Sequence, residues 1–331
     1  MSTNEKAEAI IRQHESNGRY ITVDGIRTFY LDAGTGPVVF CIHGVPTSSF
    51  LYRKVVPQLQ TRGLRAIAID LPGLGLSEKP ENFNYIFSHL GRFRNRFLDA
   101  LQVKAVHLLL HDIGTPIGLS MTAQNSSRIR SISVLNSMLD VEHFVKPLPM
   151  RPFEKSIPGE AELAVLTPTT FPLMMNSAGV LNKDAITQEE TAAYIHLLKK
   201  EDGGKAFLKI MRSFEQTKEF TEACYSVWKN PAYPVQLVWG VKDPFLTYEE
   251  YGKQFEDARP GIAVTKVEAK HFLQEEQYET IAAKVKELVL FELLPLFDGY
   301  TQHWNLYSTT SKKLEKYIAL HLRLVGNISS R

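Results

Sequence analysis

The first candidate for chemistry is an aspartate at the end of an apolar run. Residues 105–110 (Ala-Val-His-Leu-Leu-Leu) form that run, and His111, Asp112, Ile113 and Gly114 follow directly. A short apolar run ended by glycine predicts a strand buried on both faces, and the residues after Gly114 predict a helix. Strand, tight turn and helix form the frame of a nucleophile elbow, with Asp112 at the position of the nucleophile.

An aspartate in such a turn differs from a serine in its charge. Its carboxylate is ionised at neutral pH, and the N-terminus of the following helix would keep it so. A carboxylate of this kind can displace a leaving group from carbon and form an ester with the enzyme. Asp112 could also do no more than cap the helix, so this stretch alone leaves two interpretations open.

Two more residues follow predicted strands farther along the chain. Asp243 comes shortly after an apolar run that ends near Gly240, and His271 follows the last predicted strand, 262–268. In a doubly wound sheet, functional residues lie at the carboxyl ends of the strands. A nucleophile, then an acid, then a histidine is the chain order of one class of hydrolytic triad. The joint pattern of Asp112, Asp243 and His271 therefore favours catalysis over a simple helix cap.

The elements that must position these residues predict an α/β fold. A hairpin is predicted over 20–31, with Asp24 and Gly25 at its turn. The other predicted strands are 38–42, 64–69, 105–110, 129–135, 235–239 and 262–268, and the predicted helices include 50–60, 84–101, 189–200, 205–214 and 278–291. Strands that alternate with helices imply a mostly parallel, doubly wound sheet with helices on both sides.

The chain divides into four predicted segments. The first part of the core covers 20–138, and an inserted helical cap covers 139–231, where strand patterns disappear. Residues 232–294 complete the core, and 295–331 form a C-terminal extension. Residues 1–18 are expected to form a short helix or a disordered arm. The extension carries a helical apolar stripe, which fits packing on its own domain or contact with a partner or a membrane surface.

Composition restricts the class of protein. A 331-residue chain with 44% hydrophobic residues can bury one large core, with or without an insertion. Its net charge of +2 gives no reason to expect nucleic acid as a partner. Two cysteines, Cys41 and Cys224, are too few for a disulfide framework. Since neither a signal-peptide core nor an apolar run of about 18 residues is present, we expect a cytoplasmic protein without a transmembrane segment.

Four motifs give the chain a resemblance to the aspartate-nucleophile α/β-hydrolases, which are the haloalkane dehalogenases and epoxide hydrolases. The resemblance covers about residues 20–292. The motifs are 43–49 (His-Gly-Val-Pro-Thr-Ser-Ser), 70–77 (Asp-Leu-Pro-Gly-Leu-Gly-Leu-Ser), 111–114 (His-Asp-Ile-Gly) and 271–276 (His-Phe-Leu-Gln-Glu-Glu). The first and the last look most like haloalkane dehalogenases. An acid at Asp243, with Asn136 after the earlier strand, is similar to one dehalogenase subfamily.

The resemblance implies a cofactor-independent reaction in two steps, with a small apolar electrophile and water as substrates. Asp112 attacks carbon to form an alkyl-enzyme ester, and His271, oriented by Asp243, then activates the water that hydrolyses it. The backbone N–H groups of Val45 and Ile113 would form the oxyanion hole. No metal is implied, because the histidines lack the spacing of zinc ligands.

A substrate pocket between sheet and cap is also implied. The residues expected at this pocket are His43, His111, Asn136, Phe214 and Phe272. His43 and His111 are expected mainly to brace the loops beside it, and a second interpretation of His111 is that it shapes the pocket.

The chain departs from both enzyme types at the residues that would hold the leaving group. Dehalogenases usually have Trp directly after the nucleophile, where this chain has Ile113, and many have Asn in place of Val45. Epoxide hydrolases use cap tyrosines as proton donors; Phe214 stands near one expected position, while Tyr194 and Tyr225 lie elsewhere in the predicted cap. These departures predict weak dehalogenase activity, improved by Ile113→Trp if the pocket has room.

Three functions therefore remain as hypotheses. The first is a cofactor-independent, haloalkane dehalogenase-like hydrolase, and the second is an epoxide hydrolase with an unusual proton donor. The third is a non-catalytic ligand binder that keeps the triad as a scaffold. A serine-type esterase is disfavoured because no serine occupies the elbow, and the oligomeric state is left open.

Overall fold

The computed structural model of the protein describes residues 1–292. Its strands are β1 (Gly18–Val23), β2 (Ile26–Ala33), β3 (Val38–Ile42), β4 (Arg65–Ile69), β5 (Val106–His111), β6 (Ile129–Leu135), β7 (Val235–Gly240) and β8 (Ala263–Val267). They form one sheet in the order β1-β2-β4-β3-β5-β6-β7-β8. β2 pairs antiparallel with β1 and with β4, and all other neighbours are parallel. The predicted mostly parallel sheet is confirmed.

Helices cover the sheet in two groups. The helices are α1 (Thr3–Ser16), α2 (Val55–Thr61), α3 (Phe87–Ala100), α4 (Gly114–Gln124), α5 (Ser156–Val165), α6 (Phe171–Met174), α7 (Gln188–Lys199), α8 (Lys205–Met211), α9 (Lys218–Lys229), α10 (Lys253–Ala258) and α11 (Tyr278–Glu292). α2 packs with α11, and α3 packs with α4. Helices are therefore wound onto the sheet as two layers, as strand–helix alternation requires.

Strand β5 lies in the middle of the sheet, between β3 and β6. All of its residues are buried, and its sequence, Val-His-Leu-Leu-Leu-His, lacks the regular polar alternation of a half-exposed strand. Its register sets Leu110 beside Ile42 of β3 and beside Val134 of β6. The carboxyl ends of these three parallel strands consequently reach the same edge of the sheet.

Five helices, α5 to α9, lie between β6 and β7, and the structure describes no strand in that stretch. We call residues 136–234 the inserted segment. A half-buried arginine, Arg53, joins it to the core. Its Nη2 donates to Glu190 on α7 at 2.8 Å and to Glu275, beyond β8, at 2.9 Å. Two loops of the core are thereby tied to one helix of the inserted segment.

The first residues form a helix that touches both parts of the chain. α1 packs along α7, where Lys6 pairs with Glu189 at 3.1 Å and Glu8 with His196 at 3.0 Å. On its other side, His14 is buried and bonds to the Ser49 hydroxyl at 3.1 Å. Of the two expectations for residues 1–18, the helix is the one observed.

Several helix boundaries differ from the predicted ones. The predicted helix 50–60 is divided into a 3₁₀ turn (Ser49–Tyr52) and α2. Pro57 accounts for the break, because it has no N–H to donate to the carbonyl of Arg53 four residues earlier. The predicted helix 205–214 ends at Met211, and the prediction for residues 295–331 lies outside the described residues.

Candidate active site

The loop between β5 and α4 places Asp112 in a left-handed backbone conformation, with φ of 53°. Glycine follows two residues later because the turn runs against β3: a Cβ on Gly114 would collide with the Ile42 carbonyl oxygen. The Ser137 hydroxyl donates to the Asp112 carbonyl at 2.7 Å and Thr115 N–H donates to it at 3.0 Å. The first turn of α4 and the loop after β6 thus hold this uncommon conformation.

The Asp112 carboxylate is almost fully buried and is contacted by backbone amides. Val45 N–H donates to its Oδ1 at 2.8 Å. Burial raises the pKa of the Asp112 carboxyl, while His271 and the amides of Ile113 and Val45 act in the opposite direction. The structure therefore brings Asp112 together with both residues predicted for the oxyanion hole.

His271 lies between two carboxylates at this edge of the sheet. Its Nδ1 donates to Asp243 Oδ2 at 2.8 Å, and its Nε2 is 3.9 Å from Asp112 Oδ2. Burial acts to lower the pKa of His271, but the charge and hydrogen bond of Asp243, with the charge of Asp112, raise it overall. With Nδ1 bound to Asp243, the Nε2 atom of a neutral ring points its lone pair toward the nucleophile side.

The second oxygen of Asp243 is also occupied. Its Oδ1 accepts from the N–H groups of Phe245 and Leu246 at 2.9 and 3.0 Å. Burial acts to raise the pKa of Asp243, yet the charge and hydrogen bond of His271 and these amides lower it overall. Asp243 is therefore held as a carboxylate in one orientation.

Asn136 was expected at the substrate pocket, and the structure places it behind the pocket instead. Its Nδ2 donates to Asp243 Oδ2 at 2.9 Å and to the Gly240 carbonyl at 3.1 Å, and its Oδ1 accepts from Gly240 N–H at 2.7 Å. The side chain is fully buried and ties the end of β6 to the end of β7. The pocket expectation is corrected because all polar atoms of this amide are used within the core.

His43 and His111 are likewise behind the pocket and do not line it. His43 accepts from Leu71 N–H at its Nε2 (3.0 Å), so its Nδ1 donates to the Gly44 carbonyl (2.8 Å). Burial lowers the pKa of His43 to about 3, and burial also holds the pKa of His111 well below its usual value. His111 Nε2 donates to the His271 carbonyl at 2.9 Å. Both rings are neutral braces of neighbouring loops.

A pocket opens above Asp112 and His271, between the sheet edge and the inserted segment. The empty space within it, including the part that opens to solvent, is about 660 Å³. The lining is mostly apolar and includes both predicted phenylalanines, Phe214 and Phe272. The other apolar side chains of the lining are Val45, Pro46, Met138, Phe144, Pro147, Met150, Met174, Ala178, Met211, Phe245 and Leu246. Ile113 is fully buried and absent from the lining, so a larger side chain there would press on the core.

Neither tyrosine named from the sequence reaches this pocket. Tyr194 is buried on α7, and its hydroxyl donates to Glu275 Oε1 at 2.5 Å. Its ring stacks on Phe272 from behind, with the planes 7° apart. Tyr225 lies half-buried on α9 and is not a lining residue.

One lining residue escaped the sequence reasoning. Lys146 is 5% exposed, and its Nζ lies 2.8 Å from Glu154 Oε1 and 3.8 Å from the centroid of the Phe214 ring. Burial lowers the pKa of its ammonium group, and Glu154 opposes that change. Lys146 stands in an irregular, proline-containing stretch, where no strand or helix period indicates which way a side chain points.

Within residues 1–292, no cluster of three or more His, Cys, Asp or Glu side chains is arranged to hold a metal ion. None of the helices in that part of the chain is both long and apolar enough to cross a bilayer.

Known proteins resemble this chain in sequence and in fold. A 277-residue match to an uncharacterised hydrolase of Saccharomyces cerevisiae is 26% identical and covers 79% of this chain and 93% of that protein. Haloalkane dehalogenase 2 of Mycobacterium tuberculosis is 27% identical over 271 residues, covering 79% of this chain and 91% of the relative. The crystal structure of haloalkane dehalogenase DbeA from Bradyrhizobium elkani is similar in fold, with a TM-score of 0.69 at 22% identity over 84% of this chain and 99% of that one.

A family model described as the alpha/beta hydrolase fold matches residues 37–278. That range begins just before β3 and contains Asp112, Asp243 and His271, with the whole inserted segment. Strand order, elbow and matched range agree, and the chain belongs to the α/β-hydrolase family.

Proposed function

We propose that this hydrolase acts in the manner of a haloalkane dehalogenase, through an ester between Asp112 and an alkyl group of the substrate. One observation carries the proposal: the elbow holds a carboxylate with one oxygen on the Val45 amide (2.8 Å) and the other toward the His271 ring (3.9 Å). A carboxylate presented in this way is a nucleophile for carbon and needs no base to become one.

In the first step, Oδ2 of Asp112 attacks the electrophilic carbon. The new C–O bond forms as the bond to the leaving group breaks, and the leaving group departs with the electron pair. Oδ1, held by Val45 N–H, becomes the carbonyl oxygen of the ester. The inserted segment serves as a cap over the reacting carbon and excludes bulk water from it.

In the second step, His271 takes a proton from water at Nε2, and the hydroxide adds to the ester carbonyl carbon. Negative charge then develops on Oδ1, which already accepts from Val45 N–H, and the Ile113 amide also bonds to this carboxylate. One such donor contributes roughly 3 kcal/mol to lowering the barrier. Asp243 stabilises the protonated ring through the 2.8 Å bond to Nδ1. The intermediate collapses, His271 returns the proton to the departing alcohol, and the Asp112 carboxyl loses its own proton to solvent.

The pocket lining supports a small or medium apolar electrophile as the substrate. Methionine and phenylalanine side chains dominate the lining, which favours alkyl groups over charged ones. Tyr194 and Tyr225 are both outside the lining, and this argues against tyrosine-assisted opening of an epoxide.

The test separates the two steps. In His271→Gln, Asp112 should still be alkylated while hydrolysis of the ester stops, so a covalent adduct accumulates and intact-protein mass spectrometry detects it. With 1-bromohexane the added mass should equal a hexyl group minus one proton, and peptide mapping should locate it on Asp112.

Asp112→Asn is the matched control, since an amide is a poor nucleophile and no early adduct should form. An adduct from epoxides but not from bromoalkanes would replace the proposal with epoxide hydrolysis. The absence of any adduct from both series, together with reversible binding of an apolar ligand, would mean that the site binds without catalysis.

A further inference from the structure

The first step of the proposed reaction leaves negative charge on the departing group, inside an apolar pocket. An anion without a hydrogen-bond donor is costly in such surroundings. Val45 N–H is already bound to Asp112 Oδ1, and Ile113 carries an alkyl side chain outside the lining. A donor for the leaving group must therefore come from another side chain.

Charged or ionisable side chains are few in the described lining: Asp112, His271 and Lys146. Asp112 is the nucleophile, and His271 directs Nδ1 to Asp243 and keeps Nε2 for water. We propose that Lys146 is the leaving-group donor of this site, an inference that rests on the proposed function. Its ammonium group would accept the charge that develops when the bond to carbon breaks.

The surroundings of Nζ leave it capable of that role. An ammonium group carries three N–H bonds. Within residues 1–292 its hydrogen-bond partner is Glu154, at 2.8 Å, and the face of Phe214 lies 3.8 Å away as a second, weaker attraction. A third N–H remains for a ligand, and Phe214 is itself a lining residue, so this end of Lys146 adjoins the pocket.

The ion pair alone does not explain why a lysine occupies this position. Glu154 keeps 39% of its side chain exposed, and an ion pair with one solvated partner contributes little to stability. Burying an ammonium group costs more than that unless its hydrogen bonds are satisfied. Methionines occupy comparable places in the same lining at Met138, Met150, Met174 and Met211 without that cost. Lys146 therefore places a cation at a position where an apolar side chain of similar length would also pack.

The chemistry balances for two kinds of leaving group. With an alkyl halide, the halide leaves as an anion and accepts an N–H of Lys146, and no proton is transferred. With an epoxide, the opened ring is an alkoxide that removes one proton from Nζ. Hydrolysis of the ester later releases one proton from the Asp112 carboxyl, and solvent returns one to the Lys146 amine.

The experiment measures alkylation alone, in the His271→Gln background, by rapid quench and intact-protein mass spectrometry. Three substrates share a six-carbon skeleton and differ in leaving group: 1-bromohexane, 1-chlorohexane and 1,2-epoxyhexane. Lys146→Met removes the cation and keeps the length of the side chain, while Lys146→Arg keeps the cation but does not release a proton. Lys155→Met is the matched control, because Lys155 is exposed and lies in the same segment outside the pocket.

Lys146→Met should slow alkylation roughly 100-fold with the chloride, the expected range for one lost donor, and less with the bromide, which is the better leaving group. Lys146→Arg should alkylate with both halides at the rate of the parent, while its reaction with the epoxide should be slow. Lys155→Met should match the parent with all three substrates.

Equal rate losses for all leaving groups in Lys146→Met would overturn the proposal, since they would indicate a change in pocket shape. So would unchanged rates. If Lys146→Met does not fold, Lys146→Arg decides. An epoxide rate equal to that of the parent refutes proton donation, and loss of the chloride reaction refutes the proposal that a cation at this position stabilises the departing halide. An adduct in the parent with no response to Lys146 rejects only this inference, whereas no adduct in the parent rejects the proposed function and the inference with it.

Discussion

The two sides of the pocket consist of different kinds of side chains. On the sheet side, Asp112, Asp243 and His271 are fixed by backbone amides and by one another at 2.8–3.0 Å. On the side of the inserted segment, methionine and phenylalanine side chains form the wall, and Lys146 is its cation. The difference suggests that the sheet side determines the kind of reaction, while the inserted segment selects the substrate and its leaving group.

The largest effect expected from this comparison is the loss of Asp243. Asp243→Asn should reduce turnover about 10⁴-fold with every substrate, since the amide fails to stabilise a protonated His271 and disturbs its tautomer. The adduct on Asp112 should still form. Steady-state turnover and quenched-flow mass spectrometry together would measure both steps.

A second aspartate–histidine pair, at the surface, provides a control for Asp243→Asn. Asp140 contacts the exposed His143 at 3.1 Å, so Asp140→Asn removes a carboxylate from a similar pair without touching the site. It should leave turnover unchanged. Alkylation that falls as steeply as turnover in Asp243→Asn would contradict the assignment of Asp243 to the second step.

A smaller effect is expected from pH. His271 must be neutral to accept a proton, and its pKa in the free enzyme is raised by Asp243 and further by the charge of Asp112. Esterification removes the Asp112 charge, so the pKa of His271 should be lower in the alkyl-enzyme. Hydrolysis of the ester should fall about tenfold per pH unit below that lower pKa.

The measurement compares the NMR titration of His271 in the free enzyme with the pH dependence of ester hydrolysis in single turnover. The midpoint for hydrolysis should lie at the lower pH. Asp112→Asn imitates the loss of charge and should shift the NMR titration in the same direction. Coincident midpoints would show that Asp112 does not influence His271.

The smallest effect is expected on the side of the inserted segment. Met150→Leu keeps the volume of the side chain and changes its shape, so kcat/KM should change by less than roughly tenfold and differ along a series of bromoalkane lengths. Single-turnover hydrolysis of a common ester should stay at the wild-type rate. Slower hydrolysis in this variant would contradict the assignment of ester hydrolysis to the sheet side alone.

The sheet side was predictable from sequence because its determinants are local. The strands 38–42 and 129–135 match their predicted bounds. The first of them is an unbroken apolar run, which is typical of a parallel strand inside a sheet. The elbow is indicated by Asp112 and by Gly114 two residues later, where the tight turn leaves no room for a side chain. The positions of Asp243 and His271 follow from strand ends that meet at one edge of the sheet.

Side-chain direction was the part that sequence did not supply. A position after a strand is visible in the sequence, but whether the side chain points up into the pocket or back into the core depends on contacts across the sheet. His43, His111 and Asn136 turn back, and their polar groups bond to backbone there. Lys146 was missed for a related reason. Its contacts with Glu154 and with the Phe214 ring are tertiary, and no helix or strand periodicity in the sequence predicts them.

Helix α1 has a consequence for the time scale on which ligands exchange. Since it contacts Ser49 in the core through His14 and Glu189 on α7 through Lys6, a swing of α7 away from the core would have to break one of these two contacts. The pocket lining on the side of the inserted segment includes Met150 and Met174, whose flexible side chains change shape by rotation about single bonds. We therefore expect ligands to exchange by side-chain rearrangement, a faster class of motion than the microsecond-to-millisecond opening of a hinged domain.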